Sequence, residues 1–205
     1  QLKKYNLNGH KCINGINGYE YIPYGKTIKY NKSNKNKHHL LTKMRSKLIK
    51  SKILKKKKYR HLRIGEIGCN LSHMNTMKQA LKNGYNKILI LEDDVNLHPN
   101  FIKDLQQIIP YIPPNCDILF LGTNKINHKW GAFKKINKYI NKPLGSNINK
   151  KYPESEGGIY GAHAYIINRK AMKEFIKHTQ PMTYPADVTL GKISTIYKTV
   201  NAYSL

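Results

Sequence analysis

Three adjacent acids, Glu92-Asp93-Asp94, close the apolar run Lys87-Ile88-Leu89-Ile90-Leu91. A continuous aliphatic run suits a strand covered on both faces, so Ile88 to Leu91 predict a buried parallel strand with the acids at its carboxyl end. Open α/β sheets bind ligands in the crevice beyond the carboxyl ends of their strands, which puts these acids where chemistry is expected. The chain carries 11 Asp plus Glu against 37 Lys plus Arg, and three carboxylates gathered on one turn require a counter-charge. Hard oxygen donors select Mg²⁺ or Mn²⁺, and an ion held by one or two carboxylates leaves positions for the phosphates of a nucleotide-type diphosphate. Asp94 is the leading ligand with Glu92 or Asp93 assisting, because side chains alternate along a strand and neighbours do not all reach one ion. The competing reading of a bare Glu-Asp-Asp is an acidic turn that caps the next helix.

The elements that must position these acids can be read on either side. Upstream, Gly65-Glu66-Ile67-Gly68-Cys69-Asn70-Leu71-Ser72-His73 runs into Met74 to Leu81. Ile67, Leu71, Met74 and Leu81 recur near helical spacing, and Gly84 is placed to end the helix. Backbone N–H groups near a helix start favour phosphate, yet Glu66 there would repel it, so its reading is capping or positioning. Asn70 and His73 could reach a nucleotide ribose or base; a packed, hydrogen-bonded His73 is the alternative. Downstream, Pro99 to Ile109 predicts a helix with Phe101, Leu105 and Ile108 inward, stopped by Pro110, Pro113 and Pro114. Gly157-Gly158 precedes an apolar strand from Ile159 to Ile167, and Asn168 can cap a helix whose Ala171, Met172 and Phe175 pack on the sheet. His163 falls on that strand as a core or site-wall histidine. Asp117 lies at the amino end of its strand, away from the crevice, and reads as a turn or cap residue.

In order, spacing and wording, GEIGCNLSH, the helix and ILILEDDV resemble the family 25 glycosyltransferases, which include lipooligosaccharide sugar transferases and collagen galactosyltransferases. Cys116 to Gly122 is similar to that family's next core strand, Ala164 to Ala171 to its later strand-to-helix passage, Pro185 to Leu190 to its late Pro-x-Asp segment, and Asn14 to Gly18 to its early loop. Members normally open with a short hydrophobic strand and an Arg-containing turn that support the uracil end of the nucleotide; Gln1-Leu2-Lys3 does not show that pattern, so either the sequence is a fragment or its opening has diverged, and the base-binding residues are not assigned. The resemblance implies one α/β domain over residues 1–205 of the GT-A-like kind, a mixed, mostly parallel sheet flanked by helices. It implies transfer of galactose or glucose from a UDP-sugar, with Mn²⁺ or Mg²⁺, to a hydroxyl of a collagen-like hydroxylysine or a surface glycan, with inversion. The donor site would draw on Asn17, Gly18, Gly65, Glu66, Asn70, His73, Glu92 and Asp93, and the metal on Asp94 and Glu92. Asp187 takes the role of the base that deprotonates the acceptor. Its other reading is a helix N-cap ahead of Val188-Thr189-Leu190.

Composition bounds the alternatives. At 205 residues and 40% hydrophobic, the sequence can bury one sizeable core. No apolar run approaches ~20 residues, so no transmembrane helix is predicted, and a soluble protein of the cytoplasm or of a host endomembrane lumen is expected. Cys12, Cys69 and Cys116 are odd in number and show no ligand spacing, which reads as buried or free thiols. The net charge of +26 and the block Lys55-Lys56-Lys57-Lys58-Tyr59-Arg60 invite a nucleic-acid reading. No helix-turn-helix, RNA-recognition or zinc-finger pattern accompanies the block, and a basic rim attracting an anionic donor or acceptor explains the charge more economically. A non-catalytic nucleotide- or sugar-binding module is the other alternative. Residues 31–60 read as basic and partly mobile, and 123–156 as a variable stretch on the acceptor side.

Overall fold

The computed structural model describes residues 11–16, 21–22, 26–27, 62–122, 133–143, 161–180 and 182–205. A two-residue hairpin pairs β1 (Tyr21–Ile22) with β2 (Lys26–Thr27). The main sheet has six strands in the order β3-β7-β4-β8-β6-β5. They are β3 (Lys87–Leu91), β4 (Ile118–Phe120), β5 (Phe133–Lys135), β6 (Asn141–Pro143), β7 (Ala164–Asn168) and β8 (Ala202–Ser204).

The expectation of a mostly parallel sheet is overturned. Of its pairings only β4 with β8 is parallel; β3 with β7, β7 with β4, β8 with β6 and β6 with β5 are antiparallel. Ile88 to Leu91 form an edge strand in which Ile90 alone is buried. The aliphatic run marks a strand, but neither its full cover nor which way its neighbour runs. β3 and β4 still point the same way because β7 lies antiparallel between them, so their carboxyl ends meet the amino end of β7.

Period-two alternation distributes β4 between two cores. Ile118 and Phe120 face one side with Ile167 and Ala202, where helices α1 (Ile64–Lys82), α3 (Arg169–His178) and α4 (Ala186–Thr195) pack together. Leu119 faces the other with Ile140 and Tyr203, joined by Ile108 from α2 (Phe101–Ile108) and by Ile112. No residue of α2 is fully buried, so its apolar stripe only rests on this smaller core. α1 begins earlier than a start among the glycines would place it: Gly65 and Gly68 are already helical, and Ile67, Leu71, Met74, Met77 and Ala80 are its buried stripe. It ends at Asn83 and Gly84, whose φ of 79° is the left-handed C-terminal conformation that favours glycine.

β7 is shorter than the apolar run from Ile159 suggests. Gly161 has φ 97° and residues 161–163 are not strand, which frees that segment to line the crevice. Asn168 caps α3, its Oδ1 accepting from the Ala171 N–H at 3.0 Å, and Ala171, Met172 and Phe175 are buried as their spacing requires. Asp117 serves the far end of the sheet. It accepts from the Asn201 N–H at 2.8 Å, Asn168 Nδ2 at 2.8 Å and Lys170 Nζ at 3.1 Å. Burial opposes its charge, but these donors outweigh that and hold its carboxyl below the usual range.

Candidate active site

A cleft of about 610 Å³ opens where β3 ends and β7 begins. Its walls come from four separate parts of the chain: the first turns of α1, the turn after β3, residues 161–163, and the start of α4. Glu66, Glu92, Asp94 and Asp187 all border it, and the described lining residues include no Lys or Arg. Four of the 11 acids of a chain with net charge +26 thus share one concavity.

Glu66 accepts from the Arg63 N–H at 2.7 Å, an N-terminal capping bond for α1. From there the cleft-facing side of the helix continues to Cys69 and, one further turn on, to buried His73. His73 Nε2 lies 2.9 Å from Glu92 Oε1, and its Nδ1 lies 2.7 Å from the hydroxyl of Tyr165, a fully buried residue of β7. The hydrogen bond from His73 lowers the Glu92 pKa, outweighing the burial that raises it. The Cys69 thiol donates to the same oxygen at 3.9 Å. Burial, followed by the carboxylates of Glu92, Asp187 and Glu66, pushes this thiol up to about 12.

Cys69, His73 and Glu92 have ligating atoms within 4.8 Å of one another. In the structure the imidazole and the thiol both bond the Glu92 carboxylate. The trio therefore reads as a hydrogen-bonded support. The residues that could hold a metal at the cleft are Asp94 and Glu92, whose oxygen donors suit a hard divalent cation.

Asp187 sits in the first turn of α4, where Pro185 and not Asp187 occupies the N-cap position. Its Oδ2 accepts from the Gly161 N–H at 3.3 Å and its Oδ1 from the Val188 N–H at 2.7 Å. Burial nevertheless raises its pKa above the ordinary value, opposed by these backbone donors and reinforced by Glu66. In the same 161–163 segment, the His163 carbonyl accepts from the Glu92 N–H at 2.8 Å. The His163 ring lies so close to Gly122 that a Cβ there would stand 2.7 Å from Nε2.

The structure thus brings together Glu66, Glu92, Asp94 and Asp187, with His73 directly behind Glu92. Of the other expected residues that are described, Asn70, Gly65 and Asp93 do not line the cleft. Asn70 is fully buried, its amide donating to the Glu66 and Tyr184 carbonyls at 3.1 and 2.8 Å, so it ties α1 to the segment before α4 rather than meeting a ribose. Gly65 is exposed in the first helical turn, and a Cβ there would meet nothing within 4 Å. Asp93 lies in an exposed turn and is not part of the lining. Asn17 and Gly18 lie outside the described residues. Ser72 holds the early segment, accepting from the Ile16 N–H at 2.8 Å while donating to the Gly68 carbonyl.

Cys69 and Tyr165 were not among the candidates read from sequence. The helical steps from Glu66 to Cys69 and His73, three and then four residues, carry the signal for Cys69 once the helix is started at Ile64.

An α/β protein with carboxylates gathered beyond a strand's carboxyl end fits a sugar-transferring class, and comparison with known proteins gives the family. The chain belongs to glycosyltransferase family 25: the family model described as "Glycosyltransferase family 25 (LPS biosynthesis protein)" matches residues 17–190. A similar relative is the "Procollagen lysyl hydroxylase and glycosyltransferase" of Acanthamoeba polyphaga mimivirus, 34% identical over 119 residues, which cover 55% of this chain and 12% of that protein. "Putative glycosyltransferase R655" of the same virus is 29% identical over 119 residues, covering 56% of this chain and 34% of that protein. The human "Inactive glycosyltransferase 25 family member 3" is 31% identical over 71 residues, 33% of this chain and 12% of that protein. The chain therefore spans only 12–34% of the length of these relatives. Among the described residues no helix is long and apolar enough to cross a membrane.

Proposed function

We propose that this chain transfers a hexose, galactose or glucose, from a UDP-sugar to a hydroxyl acceptor with inversion, assisted by Mn²⁺ or Mg²⁺. The observation that carries the proposal is the convergence of Glu92, Asp94 and Asp187 on one cleft from distant parts of the sequence. A diphosphate would not enter a concavity lined by four carboxylates without a cation between them, and hard oxygen donors favour a divalent one. Asp94 and Glu92 would hold it. When bound, the ion would neutralise the charge that grows on the diphosphate as the glycosidic bond breaks.

The protein's own contribution on the acceptor side falls to Asp187. Its carboxylate takes the proton from the acceptor hydroxyl as that oxygen's electron pair forms the new bond to the anomeric carbon, and the bond from that carbon to the diphosphate oxygen breaks. Burial that raises the Asp187 pKa brings the base closer to neutral pH, where proton transfer in both directions is most effective. The two backbone N–H groups that bond its oxygens fix its direction. For the acceptor, the mimiviral relative's name supports a hydroxylysine-bearing, collagen-like polypeptide, and the family description's reference to lipopolysaccharide biosynthesis supports a glycan.

The test is a screen of UDP-sugars for UDP release and transfer, with Mn²⁺ and with chelator, on the wild type and Asp94→Asn. Release from one sugar, abolished by chelator and reduced by most of its rate in Asp94→Asn, is the expected result. Transfer at an unchanged rate in chelator removes the metal from the proposal. No turnover with any donor places the chain beside the inactive human relative as a binding module.

A further inference from the structure

Tyr165 and His73 are costly choices for their positions. Both sit in the core, at 0% and 5% exposure, among Met74, Met77 and Phe120. A phenylalanine and a leucine would fill that space without a hydroxyl or an imidazole to satisfy. Each polar atom here has one partner, and together they form a line from Tyr165 near the amino end of β7 through α1 to a carboxylate on the cleft: Tyr165 Oη to His73 Nδ1 at 2.7 Å, then His73 Nε2 to Glu92 Oε1 at 2.9 Å. With Nε2–H donating to the Glu92 carboxylate, the other ring nitrogen, Nδ1, is left to accept from the tyrosine hydroxyl. The order of donors runs one way, from core to cleft. Cys69 adds a second donor to the same Oε1.

We infer that Tyr165 and His73 are positioning residues for Glu92: they commit Oε1 inward and so present Oε2 to the metal and diphosphate of the donor, which rests on the donor-site reading above. Without them Glu92, a long side chain at the mouth of a negatively charged cleft, would swing toward solvent and away from its neighbouring carboxylates. Its backbone is already held by the bond from the Glu92 N–H to the His163 carbonyl. The Tyr–His pair fixes what the backbone leaves free. Partners of this kind, behind a ligating group, typically change metal affinity or rate by about 10–100-fold when removed.

The experiment uses Tyr165→Phe, which keeps the ring and removes one hydroxyl, measured alone and combined with Glu92→Gln. Binding of Mn²⁺ alone is read by electron paramagnetic resonance and turnover on the UDP-sugar found above. The expected result is about 10–100-fold weaker Mn²⁺ binding and slower turnover in Tyr165→Phe, with less than about twofold further loss when the same change is made in Glu92→Gln. His73→Gln, whose amide can still donate to Glu92, should retain more of both than His73→Leu. An equal loss in both backgrounds would mean that Tyr165 acts by general packing, and wild-type binding and turnover in Tyr165→Phe would also overturn the inference. If the wild type binds no Mn²⁺ and turns over no donor, the donor-site reading fails and takes this inference with it; an active wild type with an equally active Tyr165→Phe refutes only the positioning role.

Discussion

Asp187→Asn separates chemistry from architecture, because the two respond in opposite directions. The side chain accepts the Gly161 and Val188 N–H groups. Asparagine keeps one acceptor oxygen, so one of these bonds is lost at about 1 kcal/mol. Against that, the native state no longer holds a buried carboxylate whose pKa is raised by desolvation. The sign follows from linkage: between the ordinary 3.8 and the raised folded value the native state binds more protons than the unfolded chain, so wild-type stability falls as pH rises through that window. At neutral pH the ionised group is therefore a net cost, and the substitution should leave stability near zero change, within about 4 °C in Tm for a domain of this size. Turnover should fall by about 10²–10⁴, the usual share of a general base, equivalent to about 2.7–5.4 kcal/mol in the barrier. Metal-dependent UDP affinity should remain close to wild type, since the base is needed for transfer and not for holding the donor. In the wild type, kcat/KM should drop on acidification with a midpoint above that of an ordinary aspartate, and that limb should vanish in the variant. Calorimetry with UDP and Mn²⁺, a melting curve and a pH-rate series on the same protein check all of this. A Tm loss beyond about 8 °C together with lost UDP binding would make Asp187 a structural residue of α4, and unchanged turnover would remove it from the reaction.

Two further outcomes test the frame around the site. Asp117→Ala deprives the Asn201 N–H, Asn168 and Lys170 of their shared acceptor and should cost about 2–4 kcal/mol, or roughly 5–15 °C in Tm. Because the Asp117 pKa is lowered in the fold, its contribution is present above 3.8 and lost as pH falls through the folded value, so the variant's stability should respond less to acid than the wild type's; identical acid limbs would contradict this. Gly122→Ala places a methyl 2.7 Å from His163 Nε2, and the ring should yield by swinging within the cleft. Turnover should drop by about 10–100-fold with little change in Tm, and a wild-type rate would show that the position of the His163 ring is immaterial.

The place of the acids at the end of β3 was more legible than the sheet around it. Glu92 and Asp94 could be placed because an apolar run ending in acids marks a strand's end wherever the strand lies in the sheet. The direction of its neighbour could not, since burial and not strand polarity selects Ile, Leu and Val. Asp117, Asn168 and the inward face of α3 followed from local rules of turn and cap. Asn70 misled for a reason particular to asparagine: its amide serves a ligand and a pair of backbone carbonyls equally well, and only the approach of the Tyr184 carbonyl decides between them. Tyr165 gave no sign of its role, because its partner His73 lies 92 residues away and the pairing exists only after β7 meets α1.

The sheet order carries a consequence for how the sequence is free to change over time. Except for the β5–β6 hairpin, every pairing in the main sheet joins strands far apart in the chain; at its centre the Asn201 N–H reaches Asp117 across 84 residues. Closing a long excursion is entropically expensive once, but doubling it adds only about 0.6 kcal/mol. Connections that join such distant pairings can therefore lengthen and shorten at small thermodynamic cost while the strands keep their register. A lineage with this topology can vary by insertion and deletion while the register of its sheet persists. The corresponding burden is kinetic: β3 and β4 wait, unpaired, for β7 and β8 to be synthesised, so slow folding and exposure to aggregation accompany the same freedom.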